Sequence, residues 1–195
     1  MYDCTQDHTE LAECMRTFKT EGFIIKRRNF GEADRILTIF SKQHGKIQAK
    51  APGVRKITSR RSSHIELLNL SVLTLYKSSR SSLSIVTEAS TLENFSSLKG
   101  DLKKIGFSFY ICELLNNLCA ENQENNKVFY LLKNTLINLE NFSLYDSILD
   151  EFEERLLAIL GYTSKFYPVE NRKSFIEGIL EKKLRARDMI PLFIS

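Results

Sequence analysis

Near Glu93 the apolar residues of this chain change their spacing, from every second residue to about every 3.6, so one kind of secondary structure cannot serve both halves. Upstream, Lys46 to Ala51 alternates, with Ile47, Ala49 and Ala51 on one face and Lys46, Gln48 and Lys50 on the other. Gly22 to Arg28 and Arg35 to Ser41 read as further short strands, separated by turns at Asn29-Phe30-Gly31-Glu32 and His44-Gly45. A polar linker runs from Pro52 to His64. Leu67 to Tyr76 is apolar and too long for one flat strand, which predicts a bend or bulge. Lys77 to Ser82 is a Ser-rich connection, and Leu83 to Ala89 closes the set. Five strands in about seventy residues predict a small closed barrel.

Downstream, Leu102, Ile105, Phe109, Cys112 and Cys119 form one helical stripe, joined by Leu115 and Leu118. Val128, Leu131, Leu132, Thr135, Leu136 and Leu139 mark a second helix. Ile148, Leu149, Phe152, Leu156, Ile159 and Leu160 mark a third, with Gly161 just past its end. Pro168 breaks the next stretch. Phe175, Ile176, Ile179, Leu180 and Leu184 mark a fourth helix, ended by Pro191, with Leu192-Phe193-Ile194 packing back on the bundle. The expected fold is therefore α+β in two domains: an extension over 1–18, a five-stranded barrel over 19–93 and a helical domain over 94–195. With 43% apolar residues both can hold a core.

No segment has the run of about 18 to 20 apolar residues that a membrane span needs, and the acidic first twenty residues do not resemble a signal peptide. A cytoplasmic protein without membrane contact is expected. Cys4, Cys14, Cys112 and Cys119 form neither a CxxC pair nor a Cys/His cluster, so buried or isolated thiols are expected, with neither metal nor disulfide.

Charge is distributed unevenly. From Lys19 to His64 there are twelve bases against three acids (Glu21, Glu32 and Asp34), a net of +9. The remaining chain has 16 bases and 21 acids, a net of −5. A basic barrel joined to a mildly acidic helical domain points to a polyanion partner for the barrel. The candidate nucleic-acid contacts are Lys26, Arg27 and Arg28 at the end of the first strand, Arg35 entering the second, Lys46 and Lys50 on one strand face, and Arg55, Lys56, Arg60 and Arg61 on the linker. In a regular strand Lys46 and Lys50 stand about 13 Å apart. Arg35 has a competing reading as a structural ion pair with Glu32 or Asp34, and Phe30, Phe40 and Tyr76 as core aromatics rather than stacking platforms. Lys103, Lys104, Lys127 and Lys133 on the helices are candidate receptors for an acidic tail or plain surface lysines. No phosphate-binding glycine loop or nucleophile elbow is present, His8, His44 and His64 are scattered, and Glu151, Glu153 and Glu154 follow helix-surface spacing. No catalytic residue is expected.

From Thr20 to Arg61 the chain resembles the bacterial RecO family of recombination mediators. The resemblance is carried by Thr20-Glu21-Gly22, Gly31-Glu32-Ala33-Asp34-Arg35-Ile36 with Leu37 and Thr38, His44-Gly45-Lys46, and Gly53-Val54-Arg55-Lys56, in that order and spacing. Phe152-Glu153-Glu154-Arg155-Leu156-Leu157 through Leu160-Gly161-Tyr162, and Leu184-Arg185-Ala186-Arg187, are similar to its helical blocks. The resemblance implies an OB-fold barrel that binds single- and double-stranded DNA and RecR, anneals strands, and helps load recombinase onto DNA covered by single-strand-binding protein. It implies that the helical domain receives that protein's C-terminal tail. One departure concerns zinc: many members carry a four-cysteine module after the block matching Leu160-Gly161-Tyr162, whereas Thr163 to Ser174 contains no cysteine. Zinc is therefore not expected, nor any other cofactor. Two rival readings remain: an OB-fold RNA-binding protein, and an adaptor acting mainly through protein contacts.

Overall fold

Residues 16–77, 81–163 and 171–186 are described in a computed structural model of the protein. The expected contributions of Cys4, Cys14, Pro168, Arg187, Pro191 and the apolar tail lie outside them, as does most of the 1–18 extension. The chain divides into two units, one holding Ile47–Glu93 with the chain up to Ser41, the other Lys42–Lys46 with the chain from Asn94.

The first unit is built on five strands: β1 (Thr17–Phe30), β2 (Asp34–Ser41), β3 (Gly45–Ala51), β4 (Leu70–Tyr76) and β5 (Ser84–Glu93). They close in the order β1-β2-β3-β5-β4, which leaves no free edge. All the described pairs are antiparallel except β3 with β5, which meet in parallel at Ala49–Ser84 and Lys50–Ile85. β1 is long because it serves two neighbours: Thr17 to Phe23 pairs with β4 and Gly22 to Phe30 with β2. The strand turns from one partner to the other at Gly22, where a Cβ would stand 2.5 Å from Ile39 Cγ2, and a register shift follows between Ile24 and Lys26.

The break expected in the Leu67–Tyr76 run falls at Leu68, which has φ 67°; the strand begins only at Leu70. Leu68 is buried and its N–H donates to Ile24 O at 2.9 Å, so the kink remains tied to β1. Ile24, Leu37, Ile39, Ile47, Ala49, Ala51, Leu73, Leu75 and Val86 fill the barrel, with Val54 and Ile65 from the linker closing it. The alternation read for β3 is realised. β5 ends later than its sequence shows, and β1 starts earlier because Thr20 takes an inward place that an apolar residue usually marks. Its hydroxyl is satisfied by Ser41 Oγ at 2.8 Å.

The second unit contains α1 (Ser96–Lys99), α2 (Leu102–Leu118), α3 (Asn126–Asn141), α4 (Tyr145–Ile159) and α5 (Arg172–Leu180). Asp101, Asn125 and Asn171 precede α2, α3 and α5 and accept backbone N–H groups of their first turns, at 2.8 to 3.2 Å. Every residue read as the apolar stripe of α3 is buried. Gly161, with φ 82°, follows α4 as expected.

Three expectations are corrected. The buried side of α2 runs through Phe107, Tyr110, Ile111, Leu114, Leu115 and Leu118, whereas Leu102 and Phe109 of the expected stripe are exposed. That helix is apolar nearly all round, so spacing alone does not choose the buried side. The fourth helix stops at Leu180, where Glu181 takes a left-handed backbone, and Leu184 is buried beyond it. Glu153 is fully buried rather than on the helix surface: Tyr110 Oη donates to it at 2.7 Å, and Arg172 Nε lies 3.4 Å from its other oxygen. Arg172 also pairs with Asp150 at 2.6 Å, so one guanidinium joins α5 to two carboxylates of α4. Cys112 and Cys119 are buried thiols, and loss of hydration pushes them up to about 12 and about 11, where they stay protonated.

The β2–β3 turn, Lys42–Lys46, clusters with this second unit. Gly45 has φ 63°, and a Cβ there would lie 1.8 Å from the Gln123 carbonyl oxygen. Two substitutions test these constraints. Gly45→Ala is expected to destabilise the protein by at least about 2 kcal/mol, from backbone strain and the blocked approach together. Tyr110→Phe removes a donor from a buried carboxylate and is expected to cost about 1–3 kcal/mol. Urea unfolding followed by circular dichroism measures both, and a midpoint matching wild type would contradict either assignment.

Candidate nucleic-acid interface

The pleat of the β1–β2 hairpin sorts the basic residues into two faces. Arg27 stands opposite Leu37, a barrel-core residue, and Arg35 opposite Asn29, so Arg27 and Arg35 share the inward face at the hairpin's end. There both guanidinium groups meet one acid. Glu66 pairs with Arg27 through one oxygen and with Arg35 through the other at 3.3 Å. Arg35 thus forms a structural ion pair, but with Glu66 rather than with Glu32 or Asp34.

The outer face carries Lys26, Arg28 and Phe30, opposite Thr38, Ile36 and Asp34. These three alternate residues step along the strand by about 7 Å. Lys26 and Arg28 are exposed, and no hydrogen bond or ion pair ties their head groups to another described residue. Phe30 is 46% exposed, unlike Phe40, which is buried, and Tyr76 is half-buried. Lys50, on the outward side of β3, places Nζ 5.2 Å from the centroid of the Phe30 ring and 2.8 Å from Asp34 Oδ2.

Asp34 organises the adjoining linker. Its Oδ1 accepts the Gly53 N–H at 2.8 Å, and one residue away the Ala33 carbonyl accepts the Arg55 N–H at 2.9 Å. The Arg55 guanidinium reaches back to Gly31 O at 3.2 Å. The linker is therefore held against the hairpin, with Arg55 bonded to Ala33 and Gly31 and both Arg55 and Lys56 exposed. The Lys50 and Gly53 contacts hold the Asp34 carboxyl below its usual range. Arg60 is exposed and has no described partner. Arg61 differs: its guanidinium donates to the carbonyls of Val86, Thr87 and Pro52 and fastens the linker to β5.

Lys46 lies apart from this cluster. It is 7% exposed, its Nζ donates to Asn116 O at 2.6 Å, and its own carbonyl accepts the Asn122 N–H at 2.8 Å. Of the ten cations singled out in the sequence, Lys26, Arg28, Arg55, Lys56 and Arg60 present charge outward, Lys50 is paired with Asp34, and Arg27, Arg35, Lys46 and Arg61 are engaged inside the protein. Sequence reading did not mark Glu66, which lies 39 residues from Arg27 and 31 from Arg35. On the helices, Lys104 donates to Glu140 O at 2.6 Å, Lys103 and Lys133 are half-buried, and Lys127 is exposed. Among the described residues no group of three His, Cys, Asp or Glu side chains is placed to hold a metal, and no helix is long and apolar enough to cross a membrane.

A closed basic barrel followed by these helices agrees with two family models, Recombination protein O N terminal over residues 15–95 and Recombination protein O C terminal over residues 99–167. The chain belongs to the RecO family. Similar relatives, each named DNA repair protein RecO, come from Roseiflexus sp. strain RS-1 and Pelotomaculum thermopropionicum. The first is 39% identical over 152 residues, covering 78% of this chain and 53% of the relative. The second is 32% identical over 166 residues, covering 85% and 62%. The chain thus spans between half and two thirds of the length of these RecO relatives.

The Asp34 contacts set a pH dependence. Because its folded value lies below the unfolded one, near 3.8, its contribution is complete above about pH 5 and is lost as pH falls through the folded value. Carboxyl NMR is expected to show Asp34 titrating below 3.8, with a lower protection factor for the Gly53 amide at the acid end and in Asp34→Asn. An ordinary Asp34 titration with unaltered Gly53 protection would refute the linker's anchoring through this carboxylate.

Proposed function

We propose that this RecO chain acts in DNA repair and recombination as a non-catalytic mediator that binds DNA through its barrel. The observation that carries this reading is the set of exposed cations Lys26, Arg28, Arg55, Lys56 and Arg60 on the hairpin and its linker, together with the exposed ring of Phe30. Single-strand binding requires cations along the phosphates and a flat apolar surface for a base, and this face offers both. Lys50 Nζ stands over the Phe30 ring, so a base stacks there by displacing the ammonium or by taking the ring's other face. Arg27, Arg35, Lys46 and Arg61 contribute by holding the barrel end, the β2–β3 turn and the linker in shape.

The function proposed from this site is the binding and annealing of single strands, with contacts to duplex DNA through the same phosphates. Annealing requires only that two backbones be neutralised and held close long enough to pair, so no active site is invoked. The family membership supports a partnership with RecR in loading recombinase onto strands coated by single-strand-binding protein, whose acidic C-terminal tail would engage the helical unit. The setting proposed is the cytoplasm, at the nucleoid.

Fluorescence anisotropy with a labelled single-stranded DNA, titrated with salt, tests the site. Changing Lys26, Arg28, Lys56 and Arg60 together to Ala is expected to weaken binding to every sequence. The slope of log affinity against log salt should become shallower by up to about 3, from four contacts at about 0.7 each. A slope equal to wild type would remove this face as the phosphate site. Tighter binding of a matched RNA would favour the RNA-binding reading, and negligible binding of either would favour the adaptor.

A further inference from the structure

The linker between Gly53 and Arg61 carries one feature that phosphate binding leaves unused. Ile57 is fully exposed, at 105%, the most exposed large apolar side chain among the described residues. A single exposed apolar residue is ordinary on a protein surface. This one, however, stands in a segment whose neighbours are cationic or hydroxylic, with Arg55, Lys56 and Arg60 flanking Thr58 and Ser59.

It is also presented on an ordered arm. Val54 is buried in the barrel core, and Gly53 and Arg55 are hydrogen-bonded to Asp34 and Ala33. Lys56 N–H donates to Gly53 O at 3.2 Å and Ser59 N–H to Lys56 O at 3.0 Å, so two consecutive tight turns shape the arm and Ile57 is the second residue of the latter. Past the tip, Arg61 fastens the arm to Val86, Thr87 and Pro52. The apolar side chain is thus held outward by backbone contacts on both sides while the adjacent cations face the same solvent.

We propose that Ile57 is a base-wedging residue: with Arg55, Lys56 and Arg60 on the phosphates, its side chain inserts between neighbouring bases of a bound strand and unstacks them. Apolar wedges of this kind, Ile among them, enter base steps when flanking cations bring the backbone close. The consequence for annealing is direct, because bases parted from their own stack are free to pair with a complement. This inference rests on the DNA-binding reading above and assigns a role to the tip of the same surface.

The test uses the full chain and a single-stranded DNA with 2-aminopurine in an adenine run, whose fluorescence rises when the base unstacks. The same strand carrying a terminal dye reports binding by anisotropy. At saturating wild-type protein the 2-aminopurine signal is expected to rise. Ile57→Ser should bind within about twofold of wild type, as expected for an exposed position, and with the same salt slope. Its signal at saturation should nevertheless lose most of the rise, while Ile57→Leu retains it. Intact binding with an equal rise in wild type and Ile57→Ser overturns the wedge and leaves the DNA-binding reading standing, as does binding by wild type with no rise. Failure of wild type to bind the strand at low salt overturns both.

Discussion

The carboxylate of Asp34 holds the Gly53 N–H on one oxygen and the Lys50 ammonium on the other, and the shape of the basic face follows from those two contacts. They join three pieces of chain that are separate in sequence: the β1–β2 hairpin, the outward side of β3, and the start of the linker. Without them the linker is a string of like charges, which by itself favours an extended, mobile segment. With them, the start of the linker is tied to the hairpin, and Arg55 is bonded to Ala33 and Gly31 rather than spread through solvent. The acid thus reduces the formal charge of the segment by one while concentrating the remainder. A short carboxylate suits this role because its two oxygens serve a backbone donor and a side-chain donor at once.

Glu66 performs a different task on the other face of the same hairpin. Arg27 and Arg35 are neighbours of the barrel core, where an unpaired charge is costly and a single acid shared by two guanidinium groups relieves the cost for both. The +9 of the segment from Lys19 to His64 therefore overstates the charge facing outward, since the compensating acid lies two residues past its end. Alternation along a strand makes this division automatic: Arg27 turns toward Glu66, and Lys26 and Arg28 turn away from it.

What the sequence made legible follows the strength of its periods. α3 was readable residue by residue because apolar and polar positions contrast sharply around it, from Val128 to Leu139. β3 was readable for the same reason at period two. The buried side of α2 was not, because Phe109 and Tyr110 are equally apolar on paper and only packing separates an exposed ring from a buried one. Glu153 was misread since a carboxylate in a helix is normally solvated; its burial depends on Tyr110 and Arg172, 43 and 19 residues away. For the candidate site, the sequence marked a basic segment of chain but could not sort its cations. That sorting depends on distant partners: Glu66 for two arginines, three carbonyls for Arg61, and Asn116 for Lys46.

The sorting also sets how strongly such a surface can hold DNA. Ten phosphate contacts at about 0.7 each would give a single-strand salt slope near 7, and the five cations that no carboxylate neutralises give about 3.5. Between 50 and 200 mM salt, a slope of about 3.5 weakens binding by about a hundredfold, whereas about 7 weakens it by more than ten-thousandfold. A protein that brings two strands together has to release the paired product, and a surface with fewer free cations releases it more readily. The internal pairing of Arg27, Arg35, Lys46 and Arg61 is then more than structural upkeep. On the proposed DNA-binding reading it limits the electrostatic grip and would leave discrimination between paired and unpaired strands to groups that touch bases, of which Phe30 is the exposed aromatic on this face.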